Sequence, residues 1–203
     1  NDNAACGSGV LTSNGGILQA SNAGLTLANQ INLGGTGLTL QGINGMTLNG
    51  VISGTGGLTK IGSGQINLNG INTYSGNTVL NGGVVLVGNN QAFSTGGITV
   101  GGSSSISATT PISLANAITL NSTLTATGTG ALTLGGVISG AANLTKTGSG
   151  SLTLNGINTY TGITSLSAGT LRVGNNNALG TGVLNTSNGT SLDSTSNVTL
   201  ANN

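Results

Sequence analysis

Residues 137–162 of the chain read VISGAANLTKTGSGSLTLNGINTYTG, and residues 51–76 read VISGTGGLTKIGSGQINLNGINTYSG. The two stretches lie 137 − 51 = 86 residues apart, and the same offset relates Lys60 to Lys146. Self-similarity at a fixed, long period is the sequence signature of a solenoid or a related repeat architecture. These stretches therefore predict a repeat protein rather than an ordinary globular domain.

The repeat continues in both directions from this pair. Residues 9–29 resemble residues 182–202, so the chain is predicted to start and finish in nearly the same part of the repeat. The predicted copies span about residues 9–45 (partial), 46–131 and 132–203 (partial). We expect a single continuous β-solenoid over residues 1–203, because stacked repeats contact only their neighbours and need no separate domains.

Short apolar–polar–apolar triplets recur inside the 86-residue unit. They begin at Met46, Ile66, Val85, Ile106 and Leu132, so their spacings are 20, 19, 21 and 26 residues. Each triplet has the period-2 alternation of a half-buried strand, and the Gly, Asn and Ser clusters between triplets are typical of turns. A step of about 20 residues predicts an all-β fold, a parallel β-helix with two or three short strands per turn. Dividing 203 residues by this step gives nine or ten turns and a rod about 45 Å long.

The composition favours a thin core inside a polar, nearly uncharged surface. The chain has 39 Gly, 2% charged residues, 1% aromatic residues and a net charge of +1, whereas average globular chains carry about 25% charged residues. A hydrophobic fraction of 35% with so little charge does not fit disorder. The only cations are Lys60, Lys146 and Arg172, which are too few for the phosphate contacts of a nucleic-acid partner. No apolar run approaches the ~18 residues of a membrane helix, so we expect no membrane insertion of this segment.

No catalytic, cofactor-binding or metal-binding residue is predicted, and we expect no enzymatic activity. The chain lacks His and Glu, and its acids are Asp2 and Asp193, which are far apart in the sequence. Paired-carboxylate and histidine-dependent mechanisms therefore lack their residues, and one Cys cannot supply the ligands of a zinc site. A pair of Ser63 with Lys60 is formally a nucleophile and base, but a turn serine near a solvated lysine is the favoured interpretation.

Five side chains stand out from this monotonous sequence. Tyr74 and Tyr160 are predicted to lie four turns apart on one face of the rod. They are either a platform for carbohydrate or protein or, as we favour, covers over the Asn-Thr-Tyr turns that shield the edge of the core. Lys60 and Lys146 are expected to be solvated or to cap turns. Cys6 is expected to be buried or disordered, and intermolecular pairing is the alternative for an odd cysteine in a secreted protein.

The stretch from Leu144 to Gly162, followed by Ala-Gly-Thr-Leu-Arg-Val at residues 168–173, resembles the passenger-associated transport repeat. This autotransporter-associated β-strand repeat occurs in bacterial autotransporter passenger domains. Residues 58–87 resemble it too, and the shared signals are a Leu-Thr-Lys start, a Gly-Ser-Gly turn and an Asn-Thr-Tyr turn. The resemblance implies a right-handed parallel β-helix, export by a Gram-negative-type secretion route and exposure at the cell surface. It implies a scaffold rather than a catalyst.

Two functions fit these predictions. A structural role, as a stalk or as the subunit of an extracellular filament, is favoured because the predicted surface is polar, uncharged and regular. The alternative is a passenger segment of an adhesin that binds a glycan or protein on host or neighbouring cells, although adhesive hot spots usually hold aromatic residues and Arg. The expected partners are copies of the chain joined end to end or the flanking turns of a longer chain, because open strand edges template further pairing. Contacts between unlike ends would propagate into a fibre.

Overall fold

The structure, a computed structural model, describes residues 6–202. Within this range the chain forms 24 short strands and no helix. The strands, in chain order, are β1 (Leu11–Ser13), β2 (Gly16–Gln19), β3 (Leu25–Leu27), β4 (Ile31–Leu33), β5 (Leu38–Gln41), β6 (Met46–Leu48), β7 (Ile52–Gly54), β8 (Leu58–Lys60), β9 (Ile66–Leu68), β10 (Thr78–Leu80), β11 (Gly83–Val87), β12 (Ile98–Val100), β13 (Ser104–Ala108), β14 (Ile112–Leu114), β15 (Ile118–Leu120), β16 (Leu124–Gly128), β17 (Leu132–Leu134), β18 (Ile138–Gly140), β19 (Leu144–Lys146), β20 (Ser151–Leu154), β21 (Thr164–Leu166), β22 (Thr170–Val173), β23 (Leu184–Thr186) and β24 (Ser191–Ser194).

Successive strands lie on three successive sides of a rod, and strands inside each sheet pair in parallel with the strand one turn earlier and the strand one turn later. The first side holds β1-β4-β7 and, further along, β14-β17-β20-β22-β24. Residues 72–75 and 91–94 occupy this side between β7 and β14 with irregular backbone. The second side is the sheet β2-β5-β8-β10-β12-β15-β18, and the third is the nine-stranded sheet β3-β6-β9-β11-β13-β16-β19-β21-β23.

The length of a turn follows from the strand register. On the second side Leu58 pairs with Thr78, Thr78 with Ile98 and Ile98 with Ile118, so each of these turns takes 20 residues. The nine strands of the third side correspond to nine turns. The predicted parallel β-solenoid with turns of about 20 residues is therefore confirmed.

The core is one column of aliphatic side chains along the axis. The first and third residues of most triplets are buried and the middle residue faces outward, as in β6, where Met46 and Leu48 are 2% and 1% exposed. A single turn cannot bury its own inward side chains, but stacking covers them above and below. The thin core predicted from the aliphatic composition is thus explained by three short strands per turn.

The 86-residue sequence repeat does not correspond to a whole number of turns. The strands β7 and β18 are equivalent in the two copies. Going from β7 to β18, the chain passes through eleven further strands, counting β18, and the two irregular segments, so it advances by thirteen sides of the three-sided rod. Thirteen positions make four and one-third turns, so β7 lies on the first side and β18 on the second. Equivalent residues are therefore rotated by about a third of a turn around the rod.

This rotation corrects two expectations. Tyr74 and Tyr160 do not share a face, because Tyr74 lies over β7 on the first side and Tyr160 over β18 on the second. The triplet at Leu132 does not continue the series of Met46 and Ile66 either, since Leu132 belongs to the first side and the others to the third. The spacing of 26 residues thus records a step to another side rather than a longer turn.

Among residues 6–202, none belongs to a helix of the length and apolarity that crossing a membrane requires.

Candidate functional site

Lys60, at the end of β8, points into the rod and is 1% exposed. Its Nζ donates hydrogen bonds to the carbonyl oxygens of Ile61 at 3.0 Å, Gly62 at 2.6 Å and Gly82 at 3.1 Å. Two of these carbonyls belong to the turn that follows the lysine, and the third belongs to the turn one level further along the rod. We call this arrangement, one ammonium group held by three backbone carbonyls, a lysine cage.

Lys146 forms the second lysine cage and is 3% exposed. Its Nζ donates to the carbonyl oxygens of Thr147 at 2.6 Å, Gly148 at 2.8 Å and Ala168 at 3.2 Å. Gly169 follows with φ at 73°, and a Cβ there would lie 2.9 Å from the Lys146 Nζ. Glycine at this point of the repeat therefore leaves room for the ammonium group as well as permitting the turn.

The lysine cages decide between the two roles that the sequence left open. Lys60 and Lys146 cap turns, as one alternative predicted, whereas the expectation that they are solvated is wrong. Burial lowers the pKa of both amines below the usual value of 10.5. The Lys60 ammonium donates its hydrogen bonds to three carbonyls, and the Ser63 hydroxyl is not among its partners. The nucleophile–base pair of Ser63 and Lys60 therefore does not form.

Tyr74 and Tyr160 lie entirely inside the rod, with 0% exposure. The Tyr74 hydroxyl is 2.6 Å from the Thr78 Oγ1, and the Tyr160 hydroxyl is 2.6 Å from the Thr164 Oγ1. The interpretation as an exposed platform is therefore wrong, and the tyrosines are part of the core. Each ring fills the side where the backbone is irregular, and its hydroxyl is satisfied by a buried threonine.

Asparagines next to these tyrosines join three levels of the solenoid. The Asn72 Oδ1 accepts a hydrogen bond from the Ile52 N–H at 2.8 Å, one turn below, and its Nδ2 donates to the Ala92 carbonyl at 2.6 Å, one turn above. Asn158 makes the equivalent pair of bonds in the second copy. These side chains supplement the backbone ladder where residues 72–75 are not a regular strand, so that the Ile52 N–H and the Ala92 carbonyl have partners.

A third polar contact of this kind was not predicted from the sequence. Asn116 ends a Leu-Ala-Asn motif, and its Nδ2 lies 3.4, 3.1 and 2.7 Å from the carbonyl oxygens of Phe93, Ser94 and Gly96. The recurrence of Leu-Ala-Asn at residues 27–29, 114–116 and 200–202 was the available signal. Asn29 and Asn202 also donate to carbonyls of the preceding turn.

The buried tyrosines are expected to lower the stability of the fold at alkaline pH. Burial raises the pKa of Tyr74 and of Tyr160 to about 12, against an ordinary value of 10.0, while the threonine hydrogen bonds lower it. Because the unfolded chain loses these protons first, stability is fully present below pH 10 and is lost as the pH rises toward 12. We expect a loss of roughly 2 kcal/mol per tyrosine across this window, measured by denaturant unfolding followed by circular dichroism.

The double substitution Y74F/Y160F supplies the control, because it keeps both rings and removes both ionisable hydroxyls. In this variant the lowered lysine pKa values should dominate, and they act with the opposite sign: stability rises toward pH 10.5, where the unfolded lysines also become neutral. An unchanged alkaline fall in Y74F/Y160F would show that other groups cause it.

The remaining reactive groups are on the surface or outside the described range. Cys6 is exposed, so the expectation that it is buried was wrong, and its intermolecular pairing stays a prediction. Arg172 Nε lies 3.2 Å from Asp193 Oδ2, and both side chains are about half exposed. Asp2 lies outside the described residues. Within residues 6–202 no group of three or more His, Cys, Asp or Glu residues could hold a metal ion.

These contacts define a class of protein: a repeat scaffold in which a stacked sheet is locked by buried lysine, tyrosine and asparagine side chains. Its buried lysine, tyrosine and asparagine side chains form hydrogen bonds with backbone carbonyls and hydroxyls of the chain itself.

Comparison with known proteins gives the family of these repeats. The Passenger-associated-transport-repeat family matches residues 58–87 and 144–173, segments that contain both caged lysines and both buried tyrosines. The resemblance recognised in the sequence is thereby confirmed. The chain is a β-solenoid that carries two repeats of the autotransporter passenger type.

Curated relatives agree with this assignment. The chain is 36% identical over 89 residues to the Adhesin BmaC autotransporter of Brucella suis, an alignment that covers 43% of this chain and 2% of the relative. It is 55% identical over 42 residues to the Neisserial autotransporter lipoprotein NalP of Neisseria meningitidis serogroup B, which covers 20% of this chain and 4% of the relative. The chain thus spans only a few per cent of the length of these relatives. No solved structure matches it significantly.

Proposed function

We propose that this segment is a rigid, non-catalytic spacer, a stalk or filament element, displayed outside the cell of a Gram-negative bacterium. The observation that carries the proposal is the direction of its side chains. The lysines and tyrosines are buried, and the outward positions of the strands hold mainly Thr, Ser and Asn. A surface of short, uncharged side chains on a continuously paired sheet suits a spacer, since it offers few anchors for a partner.

A second candidate is the passenger segment of an adhesin. The name of the Brucella suis relative, an adhesin, favours it, and so does a pair of exposed isoleucines at equivalent repeat positions. Ile71 and Ile157 are 60% and 65% exposed, although their residue type is usually buried. In this alternative the isoleucines contribute to contacts with a glycan or protein on another cell.

A bead assay separates the two functions. The exposed Cys6 allows the 203-residue chain to be coupled to beads through one end, which leaves the sides of the rod free. The spacer function predicts that coated beads adhere to host and bacterial cells no more than beads that carry an unrelated β-solenoid. Saturable adhesion that free chain competes away, and that the double substitution I71T/I157T removes, would establish the adhesin function instead.

The partners that we propose are further solenoid turns, supplied by flanking chain or by a second copy. Within residues 6–202, β1, β2 and β3 have a strand neighbour on one side only, and Leu11, Leu18 and Leu25 are only partly buried. A further turn would cover these side chains and pair these edges. Residues 9–29 and 182–202 are alike in sequence but begin on different sides of the rod, so copies joined in sequence phase would be rotated about the axis.

Solution measurements test this end-to-end contact. Self-association predicts that the sedimentation coefficient of the purified chain rises with concentration and that electron microscopy shows filaments with an axial repeat near one rod length, about 45 Å. A monomer at every concentration would overturn contact between copies and leave flanking turns as the partner.

A further inference from the structure

Two parallel rows of hydroxyl side chains run along the middle of the third side. The first row is Ser105, Thr125, Thr145 and Ser165, and the second is Ser107, Thr127, Thr147 and Ser167. We call these eight residues the hydroxyl array. It lies on β13, β16, β19 and β21 and on the residues that directly follow the last two strands.

The strand register aligns the rows from turn to turn. Thr125 pairs with Ser105 on one side and with Thr145 on the other, and Thr145 pairs with Ser165. The second row has the same alignment, because Ser107 pairs with Thr127. Beyond the strand ends, the Thr147 N–H donates to the Ala126 carbonyl and the Ser167 N–H to the Lys146 carbonyl, which continues the ladder.

The array faces outward and its hydroxyls are not used within the described chain. In each turn one buried residue separates the two rows; these inward residues are Ile106, Ala126, Lys146 and Leu166. Among residues 6–202, no side-chain hydrogen bond engages any of the eight hydroxyls, and none is a buried atom that lacks a partner. Their donors and acceptors are therefore presented to whatever lies against this side.

The geometry fixes the spacing of these groups in two directions. Neighbouring strands are about 4.8 Å apart, and residues two apart along a strand are separated by about 6.6 Å. Rows of oxygen atoms on the faces of hexagonal ice repeat at closely similar intervals. We propose that the hydroxyl array binds ice, with water molecules of the crystal face accepting from and donating to the threonine and serine hydroxyls.

Three features favour ice over a glycan or a protein. The array belongs to interior turns whose strands are paired on both sides, so little conformational freedom is lost on contact. Both tyrosines and Phe93 are fully buried, so no aromatic ring is available to stack on a sugar. The exposed ion pair of Arg172 and Asp193 lies on the first side, so the array has no strongly hydrated charge within it.

The second side of the rod provides an internal comparison. From β5 to β18 its central outward positions form a single row, which a valine interrupts and no second hydroxyl row accompanies: Thr39, Thr59, Val79, Thr99, Thr119 and Ser139. Substitutions on this row match those on the array in residue type and strand position. They should therefore affect folding in the same way without affecting ice.

The test measures the partition of the 203-residue chain into slowly growing ice and the thermal hysteresis of its solutions. The wild-type chain should be enriched in the ice fraction. The double substitution T125Y/T145Y should reduce that enrichment about tenfold, because the array binds through many hydroxyls at once and two bulky rings in the middle of its first row keep the neighbouring hydroxyls away from the ice face. The control T99Y/T119Y should keep the wild-type enrichment, and both variants should retain the wild-type circular dichroism spectrum.

Several outcomes would overturn the proposal. Exclusion of the wild-type chain from ice to the same extent as serum albumin would do so, and so would equal losses in T125Y/T145Y and T99Y/T119Y. Binding to crystalline cellulose or chitin without enrichment in ice would assign the array to a glycan. The proposal is independent of the spacer function, since a spacer without ice binding remains a spacer.

Discussion

Substitution of Gly140 by alanine is expected to destabilise the chain by more than about 4 kcal/mol, or to prevent folding, because backbone strain and a clash with the neighbouring turn act together. Gly140 ends β18 with φ at 108°, a region that a residue with a Cβ rarely adopts. The added Cβ would overlap the carbonyl oxygen of Leu120 and lie 2.8 Å from the Leu120 nitrogen and carbonyl carbon. Since these are backbone atoms of the preceding turn, the two turns must separate and their ladder must break. The midpoint of denaturant unfolding, followed by circular dichroism, measures the effect.

Two other glycines separate the strain from the clash. Gly24 has φ at 87° with open space around its Cβ position, so Gly24→Ala should cost only the conformational term of about 1–2 kcal/mol. Gly35 has open space and no positive φ, so Gly35→Ala should be neutral or slightly stabilising. A loss in Gly140→Ala no larger than that in Gly24→Ala would mean that the turns move apart easily, contrary to the tight stacking argued above.

The general fold could be predicted from the sequence because the strands and the turns of the solenoid each produce a periodic pattern of residues. The alternation in triplets such as Met46-Thr-Leu gives strands with one buried and one exposed face, and the distance between triplets gives the turn. Stacking then follows from composition, since a chain with so few large side chains fills only a thin core. The alternation and the triplet spacing are local patterns, so a single sequence is enough to detect them.

The rotation of the copies could not be predicted in the same way. A comparison of the copies matches Ile52 to Ile138, but it does not reveal how many strands lie on each side of a turn. Residues 72–75 and 91–94 occupy the first side without the apolar–polar–apolar sequence of a triplet, so a count of triplets misses them. Their backbone is held by backbone bonds to β7 and by the side chains of Asn72 and Asn116, contacts that depend on which turns are neighbours in space.

Burial of the two lysines could not be predicted from the sequence for a related reason. Lysine is almost never fully buried unless it is paired, and the chain has no acid near Lys60 or Lys146 in sequence. Their partners are backbone carbonyls, which every residue possesses and which therefore leave no mark in the sequence. The glycines at positions 83 and 169, each close to the ammonium group of a buried lysine, were the local hint.

The one-third rotation has a consequence for any function that uses the repeat. Features at equivalent positions, such as Ile71 and Ile157, are displayed on different sides of the rod. A flat partner can therefore contact one of them but not both, which weakens the repeat as a bivalent adhesive surface. The rotation does not affect the lysine cages, because the backbone carbonyls that bind the ammonium group can be provided on any side of the rod.

Substitution of Lys146 by methionine is the second change with a large expected effect, a loss of about 3 kcal/mol. Methionine keeps an unbranched apolar stem of similar length, so the core should remain filled. What is lost is the donor group that satisfies the carbonyl oxygens of Thr147, Gly148 and Ala168. Buried acceptors without a donor each cost about 1–3 kcal/mol, and entry of water at this corner of the rod would recover part of the loss. Denaturant unfolding of K146M against the wild-type chain measures the difference.

Arg172→Met is the matched control, because it removes the same charge from a side chain that is 48% exposed and paired with an exposed Asp193. Surface ion pairs contribute between zero and about 1 kcal/mol, so R172M should unfold nearly like the wild type. K60M should lose as much stability as K146M, since Lys60 also binds the two carbonyls that follow it and one carbonyl of the next turn. Equal stability of K146M and R172M would show that water satisfies the three carbonyls as well as the ammonium group does. In that case the lysines would not lock the turns, and the stability of the repeat would have to come from the aliphatic column and the strand ladders alone.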